Sequence, residues 1–116
     1  MTTAGDLDRR ITFQARELLP GGDGAGNFET DWVSKLTVWA QVVPRFGGET
    51  VIASRLEGVQ PVTIIIRYSP AARQITAAWR AADAREGTIY ALSSPAMDPT
   101  GQRAFLEMLA TQDGAA

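Results

Sequence analysis

Cysteine and histidine are both absent from this 116-residue sequence. Their absence excludes disulfide scaffolds, zinc sites built on Cys or His, cysteine nucleophiles and histidine-dependent catalytic triads. Long apolar runs are absent too: the purely apolar run Ile64–Ile66 is far shorter than the roughly 20 residues that a membrane-spanning helix needs. The N-terminus has no apolar core before Arg9 and Arg10, so it does not resemble a secretory signal. We therefore expect no membrane partner.

A surplus of positive charge is also missing. The chain carries 11 basic and 13 acidic residues, a formal net charge of −2. Domains that bind nucleic acid by neutralising phosphates usually have a clear excess of Lys and Arg, so general DNA binding is disfavoured, although a local basic patch stays open. The acidic residues are scattered, and no spacing compels two carboxylates to face one cleft. We expect no enzymatic activity, no cofactor and no metal site.

The glycine-rich segment Pro20–Asn27 superficially resembles a phosphate-binding loop. It lacks the Lys-Ser/Thr pair that completes a P-loop, and no helix-forming segment follows it directly. The stretch from Asp23 to Asp31 also fails the alternating ligand pattern of a calcium loop. Because ordering glycine costs much entropy, the segment is typical of the tip of a protruding hairpin or a mobile loop. The residues expected to contact a neighbouring protein are Gly21, Gly22, Asp23, Gly24 and Gly26.

Alternating and β-branched stretches predict a mainly β protein. The predicted strands are Arg10–Gln14, Val38–Val43, Val62–Tyr68, Thr88–Ser93 and Phe105–Ala110, with a weaker sixth at Ile75–Trp79. The periodicity of Phe105–Ala110 also fits a helix, and its position among strands favours a strand. Short strands at regular spacing indicate a small antiparallel β-barrel or sandwich of five to six strands. The length is that of one ordinary domain, here residues 1–116 with flexible ends at about 1–6 and 111–116.

The third predicted strand has the strongest pattern. Val62, Ile64 and Ile66 share one of its faces, which we expect to point into the core. Across from them we expect Ile11 and Phe13, together with either Trp39 or its alternate-face neighbours Val38 and Val42.

The aromatic residues suggest a base-stacking platform of the OB-fold type. That function needs exposed aromatics beside a positive groove, which the net charge does not predict. We expect most aromatic side chains to pack in the core, with Trp32 or Phe46 as a possible anchor for a partner.

The connection Arg45–Gln60 is long for a compact domain. It begins with a flexible Gly47-Gly48 hinge and continues as a long loop or a short helix that Gly58 would end. Long connections are typically functional, so we expect an interaction or gating loop; the alternative is a plain surface loop or a helix that only caps the barrel. The candidate residues are Arg45, Phe46, Gly47, Gly48, Glu49, Val51, Ile52, Arg55 and Leu56.

An ordered set of motifs runs from Gly5 to about Leu109. The motifs are Gly5–Gln14 (GDLDRRITFQ), the turn Asp23–Gly26, Trp32 with Val38–Pro44 (VWAQVVP), Gly47–Glu49, Ile66–Tyr68 (IRY) and Tyr90–Leu92. Together they resemble the phage head–tail joining family, the head-closure or stopper proteins, which includes relatives from gene transfer agents. The alanine-rich stretch Pro70–Arg80 departs from the family pattern, which more often has a clearer strand there.

This resemblance implies a homo-oligomeric ring of small β-barrels in the head–tail connector of a phage or phage-like particle. Portal and adaptor proteins would bind its head side, and tail terminator or tail tube proteins its tail side. The ring would retain packaged DNA, which later passes through the channel without sequence-specific binding. In this family the connection equivalent to Arg45–Gln60 is associated with plugging the channel. The particle would assemble in the bacterial host cytoplasm.

Simple geometry favours six subunits over twelve. A domain of this length, treated as a sphere, is ~35 Å across. Six touching spheres leave a hole of about that width, which loops can narrow, whereas twelve leave a hole several times wider. A second hypothesis stays open from the residues alone: an OB- or SH3-like barrel that binds single-stranded nucleic acid or a peptide.

Overall fold

The computed structural model describes residues 5, 7–20, 28–45, 48 and 58–113. Within these residues it has six strands, β1 (Arg9–Pro20), β2 (Phe28–Pro44), β3 (Val59–Arg67), β4 (Arg80–Asp83), β5 (Ile89–Leu92) and β6 (Phe105–Asp113). All neighbouring strands are antiparallel, in the order β1-β2-β3-β6-β5-β4, and the sheet closes into a barrel because β4 pairs with β1. The predicted mainly β, antiparallel fold is confirmed.

The core is built from alternate residues of the strands, because successive side chains of a strand point to opposite faces. Val62, Ile64 and Ile66 of β3 are almost completely buried, as are Ile11 and Phe13 of β1, which confirms the predicted inward face. From β6 the core receives Leu106, Met108 and Ala110.

Of the two predicted inward faces for β2, the one containing Trp39 is wrong. Ile11 lies opposite Val38, so Val38 shares the inward direction of Ile11. Val38 and Val42 pack against the core with Ala40, whereas the Trp39 side chain is 46% exposed. Periodicity alone allowed either face, and strand pairing decides between them.

The weak sixth strand predicted at Ile75–Trp79 is also wrong. The chain instead forms a 3-10 turn at Ala72–Gln74, and the strand that completes the barrel, β4, begins only at Arg80. Ala72 and Ile75 are buried three positions apart, a spacing that suits a helical turn rather than a strand. The hydroxyl of Ser69 accepts a hydrogen bond from the Ala72 backbone N–H at 3.0 Å, which fixes the start of this turn.

The hairpin of β1 and β2 extends beyond the rest of the barrel. β4 pairs with β1 only from Ile11 to Gln14, while the β1–β2 pairing continues to Pro20 opposite Phe28. We call this two-stranded extension, residues 15–20 with 28–33, the arm. At ~3.3 Å per residue it reaches about 20 Å past Gln14. The protruding hairpin is thus present, and the predicted contact glycines at its tip lie outside the described residues.

The last strand, β6, continues to Asp113. β6 includes Thr111, Gln112 and Asp113, which pair with Pro61, Gln60 and Val59 of β3. In the part of the chain that the structure describes, no helix is long and apolar enough to cross a lipid bilayer.

Candidate interaction surface

The outward side of the β1–β2 hairpin carries arginines and tryptophans in facing positions. Four cross-strand pairs point outward: Arg10 with Trp39, Thr12 with Thr37, Gln14 with Ser34, and Arg16 with Trp32. A β-bulge between Phe13 and Gln14 shifts the register by one residue, which keeps both tryptophans on this side. Arg80 of β4 lies opposite Gln14, and Arg67 lies at the end of β3 beside Trp39. We call Arg10, Arg16, Arg67, Arg80, Trp32 and Trp39 the basic–aromatic face.

Stacking between guanidinium and indole groups orders this face. The guanidinium carbons of Arg80 and Arg16 lie 4.5 and 5.6 Å from the centre of the Trp32 ring. Arg10 lies 5.1 Å from the centre of the Trp39 ring. Each such contact contributes about 0.5–1 kcal/mol at an exposed site. A guanidinium stacked on an aromatic ring keeps its N–H donors at its edge, where they can bind a carboxylate or a phosphate.

Hydrogen bonds across the strands position the same side chains. The Nε of Arg80 donates to Oε1 of Gln14 at 2.7 Å, and Nε2 of Gln14 donates to Oγ of Ser34 at 3.3 Å. The hydroxyls of Thr12 and Thr37 lie 2.9 Å apart and share a hydrogen bond. These contacts link β4, β1 and β2 on the outside of the barrel, so the face is prearranged.

The face is a local concentration of positive charge on a chain with a net charge of −2. From Arg10 to Arg16, none of the described outward residues of β1, β2 and β4 is acidic. Beside Trp39 it includes an open groove of about 620 Å³ lined by Leu7, Arg10, Thr37, Val38, Trp39 and Arg67. The structure therefore contains the local basic patch that the composition left open.

The opposite side of the arm has acidic side chains. Glu17 of β1 lies opposite Asp31 of β2, one position along from Arg16 and Trp32 and therefore on the other face of the ribbon. The Glu17 carboxylate forms an ion pair with Lys35 and keeps 40% of its side chain exposed. Asp31 is exposed, and its Oδ1 accepts a hydrogen bond from the Trp32 backbone N–H at 2.8 Å. Lys35 partly offsets the charge of these two carboxylates, and Glu17 and Lys35 line a cleft with Ala71, Gln74 and Trp79 of the same chain.

A separate charged cluster stabilises the turn between β4 and β5. Asp83 is buried, and its Oδ1 accepts hydrogen bonds from the backbone N–H groups of Arg85 at 2.8 Å and Glu86 at 2.9 Å. Arg9 lies 3.5 Å from Asp83 and 3.2 Å from Glu86. Burial alone would raise the pKa of Asp83, but the two backbone hydrogen bonds and Arg9 together lower it below its usual value. This cluster holds the turn between β4 and β5.

The expectation of core packing is correct for some aromatic residues and wrong for others. Phe13 and Tyr90 are buried, and Tyr68 and Trp79 are partly buried and pack against the core, whereas Trp39 is exposed and Trp32 is only partly buried. The error arose because each tryptophan was judged without knowing which strand face it occupies. One signal in the sequence could have predicted this face. In β1 the polar residues alternate with buried apolar ones, which indicates an outward row with an arginine at each end: Arg10, Thr12, Gln14 and Arg16.

The predicted gating loop is described only at its ends. The Arg45 backbone N–H donates to the Pro61 carbonyl at 2.9 Å, and Nε2 of Gln60 donates to the Arg45 carbonyl at 3.0 Å. Gly58 adopts a φ of +84°, which L side chains rarely adopt. Gly48 is described and exposed. The remaining candidates lie outside the described residues: Phe46, Gly47, Glu49, Val51, Ile52, Arg55 and Leu56. The structure brings none of the described loop residues into contact with the basic–aromatic face.

Comparison with known proteins identifies the family. The phage head completion protein family matches residues 2–113, nearly the whole chain. The chain belongs to this family. Membership assigns it a structural role in a phage head and agrees with the resemblance seen in the sequence.

Two solved structures share the fold. One is the solution structure of protein SF1141 from Shigella flexneri 2a, which is 29% identical with a TM-score of 0.64 and covers 98% of each chain. The other is a chain in the virion of a native gene transfer agent particle, 24% identical with a TM-score of 0.63, covering 95% of this chain and 97% of that one. No curated protein matches the chain at a significant level.

Proposed function

We propose that this head completion protein is a ring subunit of the head–tail connector, where it closes the filled head and retains packaged DNA. The observation that carries the proposal is the family match over residues 2–113. The fold it shares with a chain of a gene transfer agent virion is consistent with this location. Portal or adaptor proteins would bind on the head side, and tail terminator or tail tube proteins on the tail side.

The anchored connection between β2 and β3 supports a gating function. Hydrogen bonds from Arg45 and Gln60 hold both ends of this connection together at the barrel rim, so the segment between them is presented from a fixed base. The six described strands close the barrel without a strand from this connection. We infer that the connection from Arg45 to Gln60 faces the channel or the next ring. We also infer that the glycines between β1 and β2, Gly21, Gly22, Gly24 and Gly26, contact a neighbouring protein together with Asp23.

The dimensions of the subunit are compatible with a ring of six. Its principal extents are 52 × 35 × 25 Å, so the two shorter ones bracket the width that a subunit would occupy around a ring. Six touching subunits leave a hole about as wide as one subunit, between 25 and 35 Å. Twelve subunits leave a hole nearly three times as wide, which the connection between β2 and β3 could hardly block. DNA would pass through without sequence-specific contacts, and the particle would assemble in the host cytoplasm.

Shortening the loop between Gly48 and Gly58 tests this function. The isolated protein should remain folded by circular dichroism, because removing loop residues costs little stability. Particles assembled with the shortened protein should lose DNA or fail to accept tails, measured as packaged DNA per particle and as tailed particles by electron microscopy. A control variant with the same number of residues in the loop, but with Gly and Ser throughout, separates length from sequence.

Normal numbers of stable, transfer-competent or infectious particles with the shortened loop would reject the gating function.

The alternative, a barrel that binds single-stranded nucleic acid or a peptide, gains support from the exposed Trp39 and the surrounding arginines. It predicts oligonucleotide binding that weakens steeply as salt is raised. Ring assembly without such binding favours the connector.

A further inference from the structure

The outer edge of β2, on the side away from β1, is available beside the basic–aromatic face. β1 pairs with β2 from Phe28 to Ala40, whereas β3 pairs with it from Ala40 to Pro44. In the part of the chain that the structure describes, no strand pairs with the outer edge between Phe28 and Trp39. The outward backbone N–H and C=O groups of such an edge are a template for one more strand.

The part of this edge next to β3 is best suited to receive a strand. The register shift between Phe13 and Gln14 leaves Lys35 without a partner in β1, so Lys35 is the extra residue of the β-bulge. Bulges and edge lysines discourage strand addition, which leaves Leu36–Trp39 as the regular segment. At ~3.3 Å per residue this segment offers about 13 Å of edge, beginning where β3 ends. We call Leu36–Trp39 the open edge.

The groove of about 620 Å³ lies along the open edge and has an apolar side and a charged side. Val38 points inward and lines the groove together with the buried Leu7. Trp39 points outward with Arg10 stacked on its ring, and Arg67 lines the groove beside it. A strand added to the open edge would therefore place alternate side chains against apolar groups and against guanidinium groups.

We propose that an extended, acidic segment of a partner protein binds the open edge as an additional strand. The residue opposite Val38 is apolar and points toward Leu7. Its two neighbours in the segment point outward, and their carboxylates bind Arg10 and Arg67. Backbone hydrogen bonds provide affinity and the alternating side chains provide specificity. The proposal rests on the proposed function only in taking the partner to be another protein of the particle.

The surroundings favour an acidic polypeptide over a nucleic acid. A nucleic acid has no backbone amides that could pair with a strand edge. The rings on which bases would stack are already in contact with guanidinium groups: Arg16 and Arg80 stack on Trp32. Arg10 stacks on Trp39. Outside the four arginines of the basic–aromatic face, the chain has seven basic against 13 acidic residues, which repels a long polyanion more than a short acidic segment.

Peptide binding to the whole chain tests the site. The probe is a short synthetic peptide that alternates glutamate with valine, and the control peptide has lysine in place of glutamate. We expect the glutamate peptide to bind in isothermal titration calorimetry and the lysine peptide not to bind. Outward backbone N–H groups of the open edge should then become protected from hydrogen exchange, measured by NMR. Contacts through side chains alone would leave their exchange rates unchanged.

Charge reversal in the protein tests the same contact from the other side. Arg10→Glu with Arg67→Glu should weaken binding of the glutamate peptide about tenfold or more, because two attractive charges become repulsive. The matched control is Arg85→Glu with Arg103→Glu, two exposed arginines away from the groove, which changes net charge equally and should bind like the wild type. Circular dichroism of each variant excludes unfolding as the cause.

No binding of the glutamate peptide, equal binding of the lysine peptide, or binding without protection of the open edge would overturn the inference. Two other occupants would also contradict it. One is a single-stranded oligonucleotide that displaces the peptide. The other is a second copy of this chain, detected as self-association in sedimentation experiments with protection of the open edge in the absence of peptide. The shortened-loop particles test the proposed function separately, so either idea can fail while the other stands.

Discussion

Replacing Ile64 by alanine measures how far the barrel interior depends on β3. Ile64 is completely buried and lies between Val42 of β2 and Met108 of β6, so strands on both sides restrict how far the cavity can collapse. Removing three methylene-sized groups costs about 2.4 kcal/mol in transfer free energy, at about 0.8 kcal/mol each. The residual cavity adds to this, and we expect a total loss of about 3–4 kcal/mol within the range for buried Ile→Ala changes.

Urea unfolding followed by circular dichroism measures this loss, at dilutions where sedimentation shows a monomer so that assembly does not contribute. The matched control is Ile89→Ala on β5, since Ile89 is 42% exposed and its truncation should cost less than about 1 kcal/mol. The slope of free energy against urea should be the same for all three proteins. Equal losses for Ile64→Ala and Ile89→Ala, or a loss under about 0.5 kcal/mol at Ile64, would refute the assigned inward face of β3.

Three other changes have defined outcomes. Asp83→Asn should reduce the loss of stability on acidification. The pKa of Asp83 is lower in the folded protein than in the unfolded chain, so its contribution to stability is present above the unfolded value of about 4 and is lost as pH falls through the folded pKa. Acid titration followed by circular dichroism measures this loss. Gly87→Ala should cost about 1–2 kcal/mol in urea unfolding, because Gly87 has a φ of +76°; no loss would mean that this turn tolerates a side chain. Trp39→Ala should change monomer stability by less than about 1 kcal/mol in urea unfolding, because its side chain is 46% exposed.

Much of the strand content followed from local pattern. The alternation in β3 predicted the buried positions Val62, Ile64 and Ile66 correctly, since period-2 burial is a property of each strand by itself. The strand predicted at Ile75–Trp79 was wrong because this segment has no clear alternation of apolar and polar residues. Its small and β-branched residues fit several backbone conformations. Its buried members, Ala72 and Ile75, acquire their positions from the barrel that they cover.

The interaction surface was less predictable. Net charge averages over the whole chain, and a value of −2 conceals four arginines on one face. Arg80 and Trp32 are 4.5 Å apart in space, although 48 positions separate them along the chain. Only the pairing of β4 with β1, and of β1 with β2, brings them together.

The amino-acid sequence by itself determined that this protein is a small, mainly β member of its family with Val62, Ile64 and Ile66 in its interior. The alternation of apolar residues and the order of the motifs are local properties of the chain, so they can be recognised without knowing which strands pair. The tertiary structure decided which face of β2 points inward, where the last barrel strand begins, and that arginines stack on Trp32 and Trp39. These features depend on register, and a shift of one residue would reverse every side chain of a strand.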